Sequence, residues 1–170
     1  MTLTVIALGA NINNPPERIK EAYIRLSEIP GLTDLTLSSL YTSPPMGPQD
    51  QPAFFNAIAT CQYSGEPTGL LNELQSIEHA MGRVKLRHWG ERCIDLDIIQ
   101  IGDRSIQEVD LVIPHPGISD RLFVVEPMIE LLGSDHKVPG LDDLGTLRDE
   151  LRHHSISRCE DIDISGAIVA

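Results

Sequence analysis

Cysteine is scarce in this 170-residue chain, with only Cys61, Cys93 and Cys159 present. An odd number at such wide spacing suits neither a disulfide framework nor a four-ligand zinc site, so reduced thiols in a cytoplasmic protein are expected. Basic charge is scarce too: 13 Lys and Arg stand against 25 Asp and Glu, a net charge of −12. That excess repels a phosphate backbone, so nucleic acid is not an expected partner. No stretch approaches the roughly 18 consecutive apolar residues of a membrane span. The start, Met1-Thr2-Leu3-Thr4-Val5, lacks the basic run of an export signal, so neither a membrane nor secretion is expected. A Gly-x-x-x-x-Gly-Lys-Ser/Thr loop is also missing, which excludes the P-loop mode of nucleotide binding.

What is present is one domain's worth of apolar sequence. Hydrophobic residues make up 41% of the chain, and a chain of this length buries about two thirds of its unfolded surface. One domain over residues 1–154 is expected, followed by a weakly patterned tail over 155–170. Residues 3–8 form a short apolar run closed by Gly9, the signature of a buried strand. A helix follows, with Asn13 or Asn14 as its cap, Pro15 and Pro16 in its first turn, and Ile19, Ala22, Tyr23 and Leu26 on one face. Alternation over 35–41 predicts a second strand that runs into a Pro-rich loop, and 54–63 a third. In that third strand Phe55, Ala57, Ala59 and Cys61 face one way and Phe54, Asn56, Ile58 and Thr60 the other. After Pro67 a second helix buries Leu70, Leu74, Ile77 and Met81, and 93–101 makes a fourth strand. The order β-α-β-β-α-β predicts an α+β, ferredoxin-like antiparallel sheet with both helices on one face. The remainder predicts a small hairpin near Gly102-Asp103, a Pro114-His115-Pro116 turn, and C-terminal helices within 121–132 and 141–151.

Asp95-Leu96-Asp97 carries the most chemistry. Strand residues at i and i+2 point the same way, so both carboxylates leave the sheet together, with Cα atoms roughly 6–7 Å apart. Such a pair can share two magnesium ions, as phosphoryl-transfer sites do, although an Asp-x-Asp taken alone is more often two solvated aspartates on an exposed sheet face. Just upstream, Arg83, Lys85, Arg87 and Arg92 fall within ten positions with Glu91 as the only acid. A basic loop beside paired carboxylates fits a metal-triphosphate site, the acids holding metal and the guanidinium forks holding phosphate oxygens.

Trp89-Gly90-Glu91-Arg92-Cys93-Ile94-Asp95-Leu96-Asp97-Ile98-Ile99 closely resembles the signature of the 6-hydroxymethyl-7,8-dihydropterin pyrophosphokinase family. The resemblance extends over about residues 3–140. It includes Gly9-Ala10-Asn11, the run Ser43-Pro44-Pro45-Met46-Gly47-Pro48-Gln49-Asp50-Gln51-Pro52, Gly82-Arg83-Val84, and Pro114-His115-Pro116 followed by Arg121 and Phe123. It implies transfer of pyrophosphate from ATP to a pterin alcohol, with AMP released. It implies that Asp95 and Asp97 hold two magnesium ions, with Arg83 and Arg92 beside them in the catalytic set. Gln75, Glu78, Trp89, Arg92, Ile98, His115 and Arg121 would meet ATP, Gln75 and Glu78 from the flank of the second helix. For the pterin, Phe54 and Phe123 would sandwich the ring, Asn56 would bond its amide edge, and Ser43, Pro44, Pro45 and Met46 would read the remaining edge. Without the family, Gln75 and Glu78 read as solvated helix residues, His115 as a turn histidine, and the two phenylalanines as core.

Departures from the family pattern are Ala10 for a usual Ser, Ser43 for Thr, Phe54 for Tyr and Glu91 for Pro, and none removes a metal ligand. Either Lys85 or Arg87 would take the second phosphate contact of the loop. The expected protein is a cytoplasmic monomer acting on small molecules. The alternative is a catalytically silent ferredoxin-like module that binds a nucleotide or a partner on its free sheet face.

Overall fold

The computed structural model describes residues 1–44, 50–82 and 93–159. Strand β1 (Thr2–Ala10) leads into helix α1 (Pro15–Ser27), strands β2 (Leu32–Leu37), β3 (Tyr41–Ser43) and β4 (Phe54–Tyr63), helix α2 (Pro67–Ala80) and strand β5 (Asp95–Ile101). The six-stranded main sheet runs β5-β1-β4-β3-β8, with β2 also on β4; β8 (Ser157–Arg158) is its C-terminal edge. β1 pairs antiparallel with both β4 and β5, as a ferredoxin-like sheet requires.

The two faces of this sheet carry two separate cores. Ile6, Leu8, Ala57, Ala59, Leu96 and Ile98 pack under α1 and α2, together with Ile19, Leu26, Leu70 and Leu74. Val5, Ile58 and Ile99 pack on the other side beneath helices α3 (Leu122–Leu132) and α4 (Leu144–Glu150), against Val125, Met128, Leu144 and Leu147. Both helices of the ferredoxin-like unit therefore lie on one face, and the C-terminal pair covers most of the other. Such cores are stabilising through apolar area removed from water, about 1.5–3 kcal/mol for each fully buried Leu or Ile.

Several local expectations are refined. The strand expected over 35–41 is divided into β2 and β3, which lie end to end on the same edge of β4. Ser38 sits at the break, donating its N–H to Ile58 O at 2.8 Å and accepting the Ile58 N–H on its hydroxyl oxygen at 2.9 Å. A side-chain oxygen thus replaces a backbone carbonyl, and the ladder stays satisfied while the chain bends. Asn14 does occupy the N-cap of α1 but adopts φ 61° and makes no side-chain capping bond; Asn tolerates that left-handed geometry better than most residues. The small hairpin forms a few residues later than expected, with β6 (Ile106–Gln107) pairing β7 (Val112–Ile113) and Glu108 N–H bonding Leu111 O at 3.0 Å. The expected boundary between 154 and 155 falls two residues before β8, which pairs with β3 through Tyr41 opposite Arg158 and Thr42 opposite Ser157.

Candidate active site

The site lies on the α3 side of the sheet. Asp95 and Asp97 leave β5 half-buried, while their neighbours Ile94, Leu96 and Ile98 are buried on the opposite face. The pairing register sets Asp95 across from Gly9 on β1, and Gly9 across from Asn56 on β4. Asn56 is in turn opposite Tyr41. A transverse row therefore runs Asp95, Gly9, Asn56, with Asp95 and Asn56 about 10 Å apart across two strand spacings. Gly9 keeps that interval clear, since a Cβ built there would stand 2.7 Å from Asn56 Oδ1.

Asn56 is buried, and among the described residues its Nδ2 donor is enclosed without a hydrogen-bond partner. A buried amide N–H left unmade costs about 1–3 kcal/mol, so this side chain is arranged for a partner that the ligand-free protein lacks. Phe54, on the same face of β4, and Phe123, in the first turn of α3, are both half-buried, and Phe123 also packs against the α3/α4 core. Ser43 is buried opposite Phe54, and Pro44 follows it at the surface. A cavity of about 150 Å³ opens between Ser43, Pro44, Leu122, Phe123, His154 and Ser155.

The Pro114-His115-Pro116 turn brings a third group to the carboxylates. It is tied to β5 by the His115 N–H bonding Ile99 O at 2.9 Å. His115 Nδ1 accepts the Gly117 N–H at 2.9 Å, so the ring proton sits on Nε2, which lies 4.0 Å from Asp97 Oδ2. Burial pushes the imidazole down to about 4, the Arg121 guanidinium pushes the same way, and Asp95 opposes them. His115 is therefore neutral at pH 7, and its approach to Asp97 is a contact with a neutral donor rather than an ion pair. Arg121 lies over Phe123, its guanidinium carbon 5.8 Å from the ring centroid. Gly117 allows this packing, because a Cβ there would stand 2.8 Å from Arg121 Nε and 3.2 Å from the His115 ring.

The structure thus gathers Asp95, Asp97, His115, Arg121, Phe123, Phe54, Asn56, Ser43 and Pro44 around one sheet face. Arg83, Lys85, Arg87, Trp89, Arg92, Pro45 and Met46 lie outside the described residues. Gln75 is exposed on α2. Glu78 departs from the expected flank position: it is buried among the α2 core residues, and its carboxylate accepts the Leu96 N–H at 2.8 Å. It thereby caps the open edge of β5 between the two aspartates. The Ile98 side chain also belongs to the α1/α2 core, away from Asp97. Sequence reasoning missed the clearing at Gly9, which was read as a strand end although β1 continues to Ala10. It also missed the joint at the base of the Pro-rich loop, where the buried Asn11 amide donates to Gln51 Oε1 at 2.9 Å and to Pro52 O at 3.0 Å.

Among the described residues no three His, Cys, Asp or Glu side chains gather as a metal cage. Two adjacent carboxylates still fit magnesium, which is commonly held by one or two acids with substrate phosphates and water completing the shell. No helix of the described residues is long and apolar enough to cross a membrane.

Fold and site together define a small-molecule site on a ferredoxin-like sheet. A model of the 7,8-dihydro-6-hydroxymethylpterin-pyrophosphokinase (HPPK) family matches residues 5–133. The 2-amino-4-hydroxy-6-hydroxymethyldihydropteridine pyrophosphokinase of Haemophilus influenzae is 41% identical over 156 residues, 92% of this chain and 97% of that protein. Its counterpart in Pseudomonas aeruginosa is 38% identical over 126 residues, 74% of this chain and 78% of that one. The folic acid synthesis protein fol1 of Pneumocystis carinii is 45% identical over 137 residues, and there the match spans 18% of the longer chain. In solved structures the fold recurs in Plasmodium falciparum HPPK-DHPS with pteroate, at a TM-score of 0.69 and 15% identity over 88% of this chain and 42% of that one. The chain belongs to the HPPK family, and its activity is pyrophosphoryl transfer in folate biosynthesis.

Proposed function

We propose that the protein transfers the pyrophosphoryl group of ATP to the hydroxymethyl oxygen of 6-hydroxymethyl-7,8-dihydropterin. The pterin hydroxyl oxygen attacks the β-phosphorus and loses its proton to solvent, the bond from that phosphorus to the α-bridging oxygen breaks, and AMP leaves with the bridging oxygen. The observation that carries this reading is the row Asp95, Gly9, Asn56, which joins a carboxylate pair to an unpaired buried amide across a clear strip of backbone.

Asn56 offers its buried N–H to the pterin's amide edge, and Phe54 and Phe123 cover the ring faces. The Ser43 and Pro44 backbone lies at the same end of the site. His115, neutral with its proton on Nε2, donates to a phosphate oxygen without adding charge, and Arg121 supplies a fixed cation beside it. Glu78 acts at one remove, holding the β5 edge so that Asp95 and Asp97 keep their shared direction. Asp95 and Asp97 would hold magnesium, which neutralises triphosphate charge when bound. Arg83 and Arg92 would add phosphate contacts. Every residue in this set comes from one chain, so a monomer suffices for the proposed reaction, and the free thiols of Cys61, Cys93 and Cys159 fit a cytoplasmic setting.

Incubation with ATP, magnesium and the pterin, with the nucleotide product resolved by chromatography, tests the reading. AMP in step with pterin consumption is the expected result. ADP as the stoichiometric product would make the protein an ordinary kinase and overturn it.

A further inference from the structure

The geometry points to His154 and Ser155 as a third wall of the pterin pocket, one that sets the size of heterocycle the site admits. This rests on the reading of Ser43 and Phe123 as pterin contacts. The cavity those residues line has three sides: Ser43 and Pro44 at the end of β3, Leu122 and Phe123 at the start of α3, and His154 and Ser155 from the C-terminal segment. The first two sides carry pterin positions of the family pattern, and the third carries none.

The third wall is held in place rather than draped over the surface. After α4 the chain turns, the His154 N–H bonding Leu151 O at 2.9 Å. Ile156 packs against the α3/α4 core, and β8 then pairs with β3. Because Thr42 is opposite Ser157, the antiparallel register brings Ser155 alongside Pro44. Beyond the strand the Cys159 N–H bonds Leu40 O at 2.8 Å. Glu130 on α3 clamps the same corner, accepting the Tyr41 hydroxyl at 2.7 Å and the Ser39 N–H at 2.8 Å, with Arg158 at 3.9 Å. Burial and the Glu130 contact push the Tyr41 hydroxyl well above its usual range, so it remains a donor to that carboxylate. Anchors on both sides thus fix where Ser155 stands. A flat ring stacked on Phe123 beside Ser43 then has Ser155 and His154 on its remaining side, residues whose hydroxyl and imidazole groups can bond a polar heterocycle edge.

The test is a steady-state comparison of Ser155→Trp, His154→Ala and Arg152→Ala, with pterin and ATP varied in turn. Arg152 bonds Asp149 at 2.9 Å and does not line the cavity. Ser155→Trp is expected to raise the pterin KM at least tenfold and His154→Ala at least threefold. KM for ATP should stay within twofold in both, and Arg152→Ala should move neither constant by twofold. His154→Gln, which restores a hydrogen-bonding group, should recover part of the loss. A pterin KM within twofold of wild type in Ser155→Trp, or equal rises for both substrates, overturns the inference. Should the Trp variant lose its melting transition, His154→Ala decides alone, since it only removes atoms. A wild type that releases no AMP defeats the proposed reaction instead, and direct fluorescence titration with the pterin then still reads the pocket.

Discussion

Replacing Asn56 by leucine separates folding from function more sharply than any other single change. The Nδ2 atom is enclosed without a partner, so the ligand-free protein carries a desolvated N–H that an apolar side chain of similar size removes. Relieving that penalty should raise unfolding free energy by about 1–2 kcal/mol. In a domain of this size each kcal/mol is worth about 2–4 °C, so Tm should rise by roughly 2–8 °C. In the proposed site the same substitution deletes a donor and an acceptor that would face the pterin. At about 1 kcal/mol for each neutral bond, pterin affinity should fall about 30-fold. ATP affinity should be unaffected, because Asn56 stands two strands away from the carboxylates.

Urea unfolding of the ligand-free variant and calorimetric titration with each substrate read the two effects independently. A variant destabilised by more than about 1 kcal/mol would show that Asn56 holds the sheet together, and the unpaired donor would lose its functional meaning. Unchanged pterin affinity would refute the placement of the ring at this end of the row. Gain in stability with loss of one substrate is the only combination the geometry allows.

Three further outcomes follow from the same face. Gly9→Ala should weaken pterin binding about tenfold by driving the Asn56 amide out of position, and the effect should vanish in an Asn56→Ala background; additive losses in a double-mutant cycle would show that the 2.7 Å approach does not matter. Asp95→Asn and Asp97→Asn should each lower AMP formation by at least about a hundredfold while the protein remains folded, and activity within about tenfold of wild type for both would remove them as metal ligands. His115 is held neutral, its pKa lowered from 6.5 to about 4, so the unfolded chain takes up this proton first. Its contribution to metal-free stability should therefore be complete above about pH 6.5 and lost as pH falls toward 4, a change of about 2 kcal/mol for a partly solvated ring; His115→Gln should flatten that part of a pH series of urea midpoints, and an unchanged slope would count against the assignment.

Much of this arrangement is legible in the sequence because it follows from period and punctuation. Alternation fixes which way Phe54, Asn56 and Ile58 point from β4, and the i, i+2 spacing fixes the shared direction of Asp95 and Asp97. The helix faces of α1 and α2 follow from 3.6-residue periodicity in the same way. What escaped depends on pairs distant in the chain. Ser38 breaks a strand only because its hydroxyl meets Ile58, 20 residues later. Glu78 looks like a surface helix residue until β5 brings the Leu96 N–H to its carboxylate, 18 residues later. Short β8 carries no pattern of its own, since two residues suffice when Cys159 and Glu130 complete the attachment.

Gly9 shows how those local and distant constraints combine into chemistry. In isolation a glycine closing an apolar run marks the end of a strand, and nothing in its neighbours says otherwise. In the sheet it is a residue within β1, flanked by Asp95 on one side and Asn56 on the other. A side chain there would collide with the amide and fill the interval between carboxylate and ring-binding residue. In the proposed reaction the glycine would keep two groups with different tasks on one continuous surface, so that a substrate bonded to Asn56 could reach phosphates gathered at Asp95 without leaving the sheet face. Distance along that surface is set by hydrogen-bonded strand spacing, about 4.8 Å per step, and not by any flexible side chain. On the proposed reading the reacting partners would be aligned by the hydrogen-bonded sheet itself, which is what positioning two substrates for in-line transfer demands.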